Sequence, residues 1–227
     1  MAAIPQTVFL FDVDNTLLDN DRVRADLAAH LVAEFGPVAA ERYWTLLEAL
    51  RLELGYVDYL GALQRYRLDA LNDPRLLLMS SFLIDYPFAD RVYPGALEAL
   101  AHVRRWGPTV ILSDGDVVFQ PRKVQRSGLW HVVEGRVLIY IHKELMLDDL
   151  QRCHPAQHYV MVDDKLRILT AMKAALGNRL TTVFVRQGHY AFEHDVVDAL
   201  PPADLTIESI GDLARHELAA LKAAATH

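Results

Sequence analysis

Five short apolar runs frame this chain: Val8 to Phe11, Thr109 to Leu112, Val137 to Ile141, Tyr159 to Val162 and Thr182 to Val185. Continuous apolar runs of this length read as strands buried on both faces, the habit of parallel sheets. Helical patterns separate the later runs: Leu97, Leu100 and Val103; Leu166, Leu169, Met172 and Leu176; and a last one through Leu213, Leu218 and Leu221. Alternation of strand and helix predicts an α/β fold whose sheet carries helices on both faces.

The stretch from about Asp19 to Ala89 breaks the alternation. It holds helical periodicities (Val23, Leu27, Leu31, Phe35; then Tyr43, Leu47, Leu50, Leu54) and no convincing strand, and Gly36-Pro37, Gly55 and Asp73-Pro74 divide it into about four helices. The sheet pattern resumes after Tyr93-Pro94-Gly95. We therefore expect a helical cap over residues 19–89, inserted into one catalytic core made of residues 1–18 and 90–227. A cap explains why 227 residues exceed one average domain. The Ala-rich tail from Ala219 to His227 is expected to fray.

Acidic residues number 30 against 23 Lys and Arg, a net charge of −7, so no basic field exists to hold a nucleic-acid polymer. The single cysteine, Cys153, excludes an intrachain disulfide and reads as a small buried or half-buried residue. No basic leader precedes the first strand and no apolar run reaches the ~18 residues of a membrane span. The expectation is a cytoplasmic monomer or homodimer with no membrane partner.

Chemistry gathers where the runs end. The first enters Asp12-Val13-Asp14-Asn15-Thr16-Leu17, two carboxylates at a strand's carboxyl end, where open α/β sheets bind ligands. Buried carboxylates are costly unless hydrated, paired or bound to a cation, although Asp and Asn also form Asx-turns and helix caps. The second run ends in Ser113, a phosphoryl donor or a helix cap, with Asp114-Gly115-Asp116 turning into a helix. The third reaches Ile141-His142-Lys143-Glu144, and the fourth Asp163-Asp164-Lys165, whose hard oxygens suit Mg²⁺.

In this order, across residues 8 to 164, the four clusters resemble the motifs of the haloacid dehalogenase (HAD) superfamily. The resemblance implies a Rossmann-like three-layer sandwich with a small helical cap. It also implies a Mg²⁺-dependent hydrolase acting on a small phosphorylated metabolite through an aspartyl-phosphate. Asp12 matches the nucleophile and Asp14 the general acid and base, with Thr16 bracing the turn. Ser113, with Asp114 beside it, and Lys143 match the phosphate-binding positions, Lys123 being the competitor of Lys143. Asp12, Asp14 (through its carbonyl), Asp163 and Asp164 match the metal ligands, Asp164 being the preferred direct one.

Neighbouring chemistries are weighed on residues. Dehalogenases of the superfamily commonly carry Tyr where this chain has Asp14. The cap-lysine phosphonatase is disfavoured, because the lysines are Lys123, Lys143, Lys165, Lys173 and Lys222, none in the cap. A phosphomutase shares the nucleophile and acid, and a catalytically weak binding module would keep the fold. Cys153, His154 and His158 form a poor transition-metal candidate, interrupted by Pro155. Arg22, Arg24, Arg51, Arg65 and Arg67 are candidates for a second substrate anion, and Tyr56 and Tyr59 for stacking a ring. The loop Arg186 to Tyr190, after the fifth run, is a candidate for the site edge, with a turn that packs its aromatic as the favoured reading.

Overall fold

The computed structural model describes residues 4–225. Six parallel strands form one sheet: β1 (Thr7–Phe11), β2 (Thr109–Asp114), β3 (Val137–Tyr140), β4 (His158–Asp163), β5 (Leu180–Val185) and β6 (Leu205–Ile207), in the order β3-β2-β1-β4-β5-β6. β1 lies centrally and is buried throughout. Phe9 and Phe11 join one apolar cluster and Val8 and Leu10 the other, because successive strand side chains point to opposite faces.

Between β1 and β2 stand α1 (Asn20–Phe35), α2 (Pro37–Leu54), α3 (Tyr59–Tyr66) and α4 (Arg75–Asp85). The Asp19 carboxylate caps α1 by accepting from the Arg22 N–H at 2.9 Å. Pro37 opens α2, and Gly55, at φ +81°, closes it in the left-handed conformation. Val23, Leu27, Leu31, Tyr43 and Leu47 bury their stripe in the same cluster as Phe9 and Phe11. The two strands of chain that enter and leave this helical insertion pair with each other. Asp19 N–H donates to Arg91 O at 2.8 Å and Tyr93 N–H to Leu17 O at 2.9 Å.

Beyond the insertion come α5 (Ala96–Val103), α6 (Phe119–Arg126), α7 (Leu129–Val132), α8 (Leu147–Cys153), α9 (Leu166–Leu176), α10 (His194–Val197) and α11 (Leu218–Ala224). Helices α5, α6, α7 and α11 pack on the Phe9 face; α8 and α9 pack on the Val8 face. The result is the three-layer Rossmann-like sandwich. Among the described residues no helix is long and apolar enough to cross a membrane.

Four expectations need correction. The third run is not fully buried: β3 is an edge strand, half-buried at all four residues, and Ile141 beyond it is exposed. A sixth strand, β6, exists that the apolar pattern did not mark, its three residues being too few to register. The last helical pattern is two elements, since a 3-10 helix over Ile210–Arg215 ends before α11 begins. Nor does the tail fray through residue 225: Leu221 and Ala225 are buried, and Lys173 donates to Ala225 O at 3.2 Å. Residues 226 and 227 lie outside the described residues.

Candidate active site

The chain runs from β1 outward to β2 and β3, then returns to the other side of β1 for β4. Strand order therefore reverses between β1 and β4, and the crevice at their carboxyl ends is where such sheets bind ligands. Asp12, just after β1, is anchored by its N–H to Val162 O of β4 at 3.0 Å. Asp163 ends β4 and Asp164 follows.

Asp12, Asp163 and Asp164 are 3%, 0% and 0% exposed. One carboxylate oxygen from each lies within 4.8 Å of the others, the only such acidic, His or Cys group of three among the described residues. Lys143, 1% exposed, stands against them with Nζ 2.5 Å from Asp12 Oδ1 and 2.7 Å from Asp163 Oδ2. Asp163 Oδ1 accepts from the Lys165 N–H at 2.8 Å. Asp12 Oδ2 and both oxygens of Asp164 find no hydrogen-bond partner. Burial, reinforced for Asp164 by the charge of Asp163, pushes both β4 carboxyls above their ordinary range. Burial alone would depress Lys143, but Asp12, Asp163 and Asp114 outweigh it and hold the ammonium above its usual value. Orphaned buried carboxylate oxygens of this kind suit a hard cation.

Asp14 reaches away from this cluster. Its Oδ1 accepts from Lys123 Nζ at 2.6 Å, and its Oδ2 from the Gln120 amide at 3.3 Å. Lys123 also donates to Asn20 Oδ1, at the start of α1, at 2.9 Å. Thus Lys143 serves the Asp12 cluster and Lys123 serves Asp14. The two lysines do not compete for one place. Ser113 Oγ lies 3.4 Å from Asp12 Oδ1 and accepts from Gln120 at 3.0 Å. The Asp114 carboxylate accepts from the Lys143 N–H at 2.7 Å, and burial raises its pKa despite the Lys143 charge. Thr16 is buried, and its N–H closes the turn onto Val13 O at 3.3 Å.

Asn15, at φ +62°, joins this turn to the insertion. Its Oδ1 accepts from the N–H groups of Asn20 and Asp21 at 3.0 and 3.1 Å, and its Nδ2 donates to Asp21 Oδ1 at 3.1 Å. The loop after β5 closes on the same point. Gly188 sits at φ +65°, and a Cβ there would meet Asn15 Cβ at 2.3 Å, so only glycine fits. His189 clasps Asp21 through Nδ1 at 2.6 Å and through its N–H at 2.8 Å.

A cavity of about 210 Å³ opens between insertion and sheet, lined among others by Asp14, Asn20, Arg51, Tyr56, Tyr59, Gln120, Lys123, Lys165 and Tyr190. Tyr190 of the β5 loop therefore lines the cavity, the site-edge alternative for this loop rather than the favoured packed turn. Of the five candidate arginines only Arg51 lines the cavity. Arg22 pairs with Asp26, Arg65 with Glu53, Arg67 with Gln64, and Arg24 lies over Trp44. Tyr59 is buried with its ring against Phe119, so it shapes the wall and is not free to stack a ligand.

Cys153 is exposed, contrary to expectation, because the end of α8 faces solvent, and it contacts Asp149. His158 is bonded to Thr181. Lys123 was visible in the sequence only as a rival of Lys143. Gln120 and Asn15 carried no role in the sequence reading, although Asn15 stands inside the first motif.

A family model described as haloacid dehalogenase-like hydrolase matches residues 7–175. A crystal structure described as a haloacid dehalogenase-like hydrolase from Burkholderia xenovorans LB400 is 70% identical. The match covers 94% of this chain and 99% of that one, with a TM-score of 0.89. A magnesium-bound HAD-hydrolase from Bacillus subtilis is 15% identical, covering 94% and 98%, at a TM-score of 0.60. The L-2-haloacid dehalogenase of Xanthobacter autotrophicus with chloropropionic acid covalently bound is 18% identical, covering 93% and 98%, at 0.56. Identities as low as these last two speak for the fold alone. No curated protein gives a significant match. With the family model spanning most of the chain and a structure 70% identical over nearly all of it, this protein belongs to the haloacid dehalogenase-like hydrolases.

Proposed function

We propose that the protein is a Mg²⁺-dependent phosphatase that hydrolyses a small phosphomonoester through an aspartyl-phosphate on Asp12. The observation that carries this reading is the set of unpartnered, buried oxygens on Asp12 and Asp164 beside Lys143. Asp12, Asp164 and the Asp14 carbonyl would hold the ion. Asp163, already engaged by Lys143 and the Lys165 N–H, would support it rather than lead. When bound there, Mg²⁺ supplies positive charge to the phosphoryl oxygens.

The residues divide the remaining work. Asp12 attacks phosphorus while Lys143 and the Ser113 hydroxyl offset the charge that develops on the phosphoryl oxygens. Gln120 orients Ser113, donating to its oxygen so that the hydroxyl hydrogen points elsewhere. Asp14, a quarter exposed and facing the cavity, gives a proton to the leaving alkoxide and takes one from the water that cleaves the intermediate. The helical insertion acts as the cap, and a cavity of about 210 Å³, below the ~300–1,000 Å³ of drug-sized sites, favours a compact substrate.

The test is a panel of phosphomonoesters with Mg²⁺ present and absent, with chloride release from 2-chloropropionate measured in parallel. Phosphate release that needs Mg²⁺ and disappears in Asp12→Asn supports the reading. Chloride release without phosphate release replaces it with dehalogenation, and phosphate migration without net release replaces it with a mutase.

A further inference from the structure

The cavity wall carries four lysine or arginine side chains, and three of them already have a partner. Lys123 donates to Asp14, Arg51 to Glu48 and Arg167 to Glu144. Lys165 is different: the ammonium makes no hydrogen bond or ion pair with any described residue and lies 4.6 Å from the centre of the Tyr190 ring. Tyr190 is placed by the loop that His189 clasps to Asp21, and its ring lies tilted by 39° against the His189 ring with centroids 3.8 Å apart. A cation held on an aromatic face, open to the cavity and bonded to no carboxylate, is built to receive an anion.

We propose that Lys165 is a specificity-determining residue that binds a second anionic group of the substrate, a carboxylate on the same small molecule as the phosphoryl group. This rests on the phosphatase reading above. Lys143 stands among Asp12, Asp163 and the Asp114-bound loop, where the phosphoryl group is attacked. Lys165 follows Asp164 and faces Tyr190 of the β5 loop across the cavity wall. A small carboxylated phosphoester presents an anion to each lysine. A neutral alcohol phosphate leaves the ammonium unanswered.

The test compares 3-phosphoglycerate with glycerol 3-phosphate, the same carbon chain with and without the carboxylate, using Mg²⁺-loaded enzyme. Wild type is expected to prefer the carboxylated ester. Lys165→Met is expected to lose about 10- to 100-fold in kcat/KM on it, through KM, as one charge-assisted hydrogen bond would, and to change little on glycerol 3-phosphate. Lys165→Arg is expected to keep the preference. Equal losses on both esters, or no wild-type preference, overturn the proposal and leave Lys165 as a counter-charge of the acidic cluster. Calorimetric titration with 3-phosphonopropionate and ethylphosphonate reads the same difference without turnover, on wild type, Lys165→Met and Tyr190→Leu. If no ester is hydrolysed but phosphonopropionate still binds more tightly through Lys165, the hydrolytic reading fails and the anion site stands.

Discussion

The crevice at the ends of β1 and β4 and the outer surface of the helical insertion are both rich in charge, and they handle it in opposite ways. In the crevice Asp12, Asp163, Asp164, Lys123 and Lys143 are all at most 3% exposed. On the insertion the pairs Arg65–Glu53 and Arg75–Asp73 sit with most partners well exposed. Solvated pairs of that kind contribute little, whereas buried charges are held at a desolvation cost that only good geometry or a bound ion offsets. The difference marks the crevice, where charge is buried and imperfectly paired, as the candidate site.

Substitutions on the two sides should separate accordingly. Asp12→Asn should cut turnover on any accepted phosphoester by about 10³-fold or more, since it removes the nucleophile; initial-rate kinetics would show it, and residual activity near wild type would break the assignment. Lys143→Met should come next. It strands the carboxylates of Asp12 and Asp163, so we expect about 3–5 kcal/mol of destabilisation in urea unfolding of the metal-free protein, together with a steep loss of turnover. Lys123→Met frees Asp14 from its 2.6 Å partner and should lower kcat by about 10- to 100-fold with a smaller change in KM, checked by comparing the two parameters.

A pH-dependent prediction follows from the acidic cluster. Asp163 is raised from 3.8 to about 6, and Asp164 is raised as well, both by burial first. A carboxyl whose folded pKa is raised contributes stability below its unfolded pKa and loses it as pH rises through the folded value. The metal-free protein should therefore lose stability as pH rises above about 4, and an Asp164→Asn variant should lose less of it. Mg²⁺, binding the deprotonated carboxylates, should raise Tm more at pH 7.5 than at pH 4.5. A Mg²⁺ effect independent of pH in thermal shift would count against the triad as the cation site. The smallest effect is expected on the insertion, where Arg65→Ala should cost under about 1 kcal/mol and leave kinetics unchanged.

Much of this contrast was legible before the structure. Asp12, Ser113, Lys143 and Asp163-Asp164 each follow an apolar run directly, so a local reading locates them at strand ends. The residues that escaped it act across the fold. Lys123 and Gln120 sit inside α6, over a hundred positions from the Asp14 they contact. The edge position of β3 escaped for a related reason. An apolar run shows that a strand is wanted but not how many neighbours it will have.

By itself, then, the sequence determined the α/β alternation and the four charged clusters, because hydrophobic periodicity and strand-end polarity are local properties. Only the tertiary structure decided which lysine faces which carboxylate, which arginine lines the cavity, and that Lys165 stands under Tyr190 without an anionic partner. Those pairings depend on the reversal of strand order at β1 and on the clasp of the β5 loop to α1, contacts between segments far apart in the chain that no local pattern encodes.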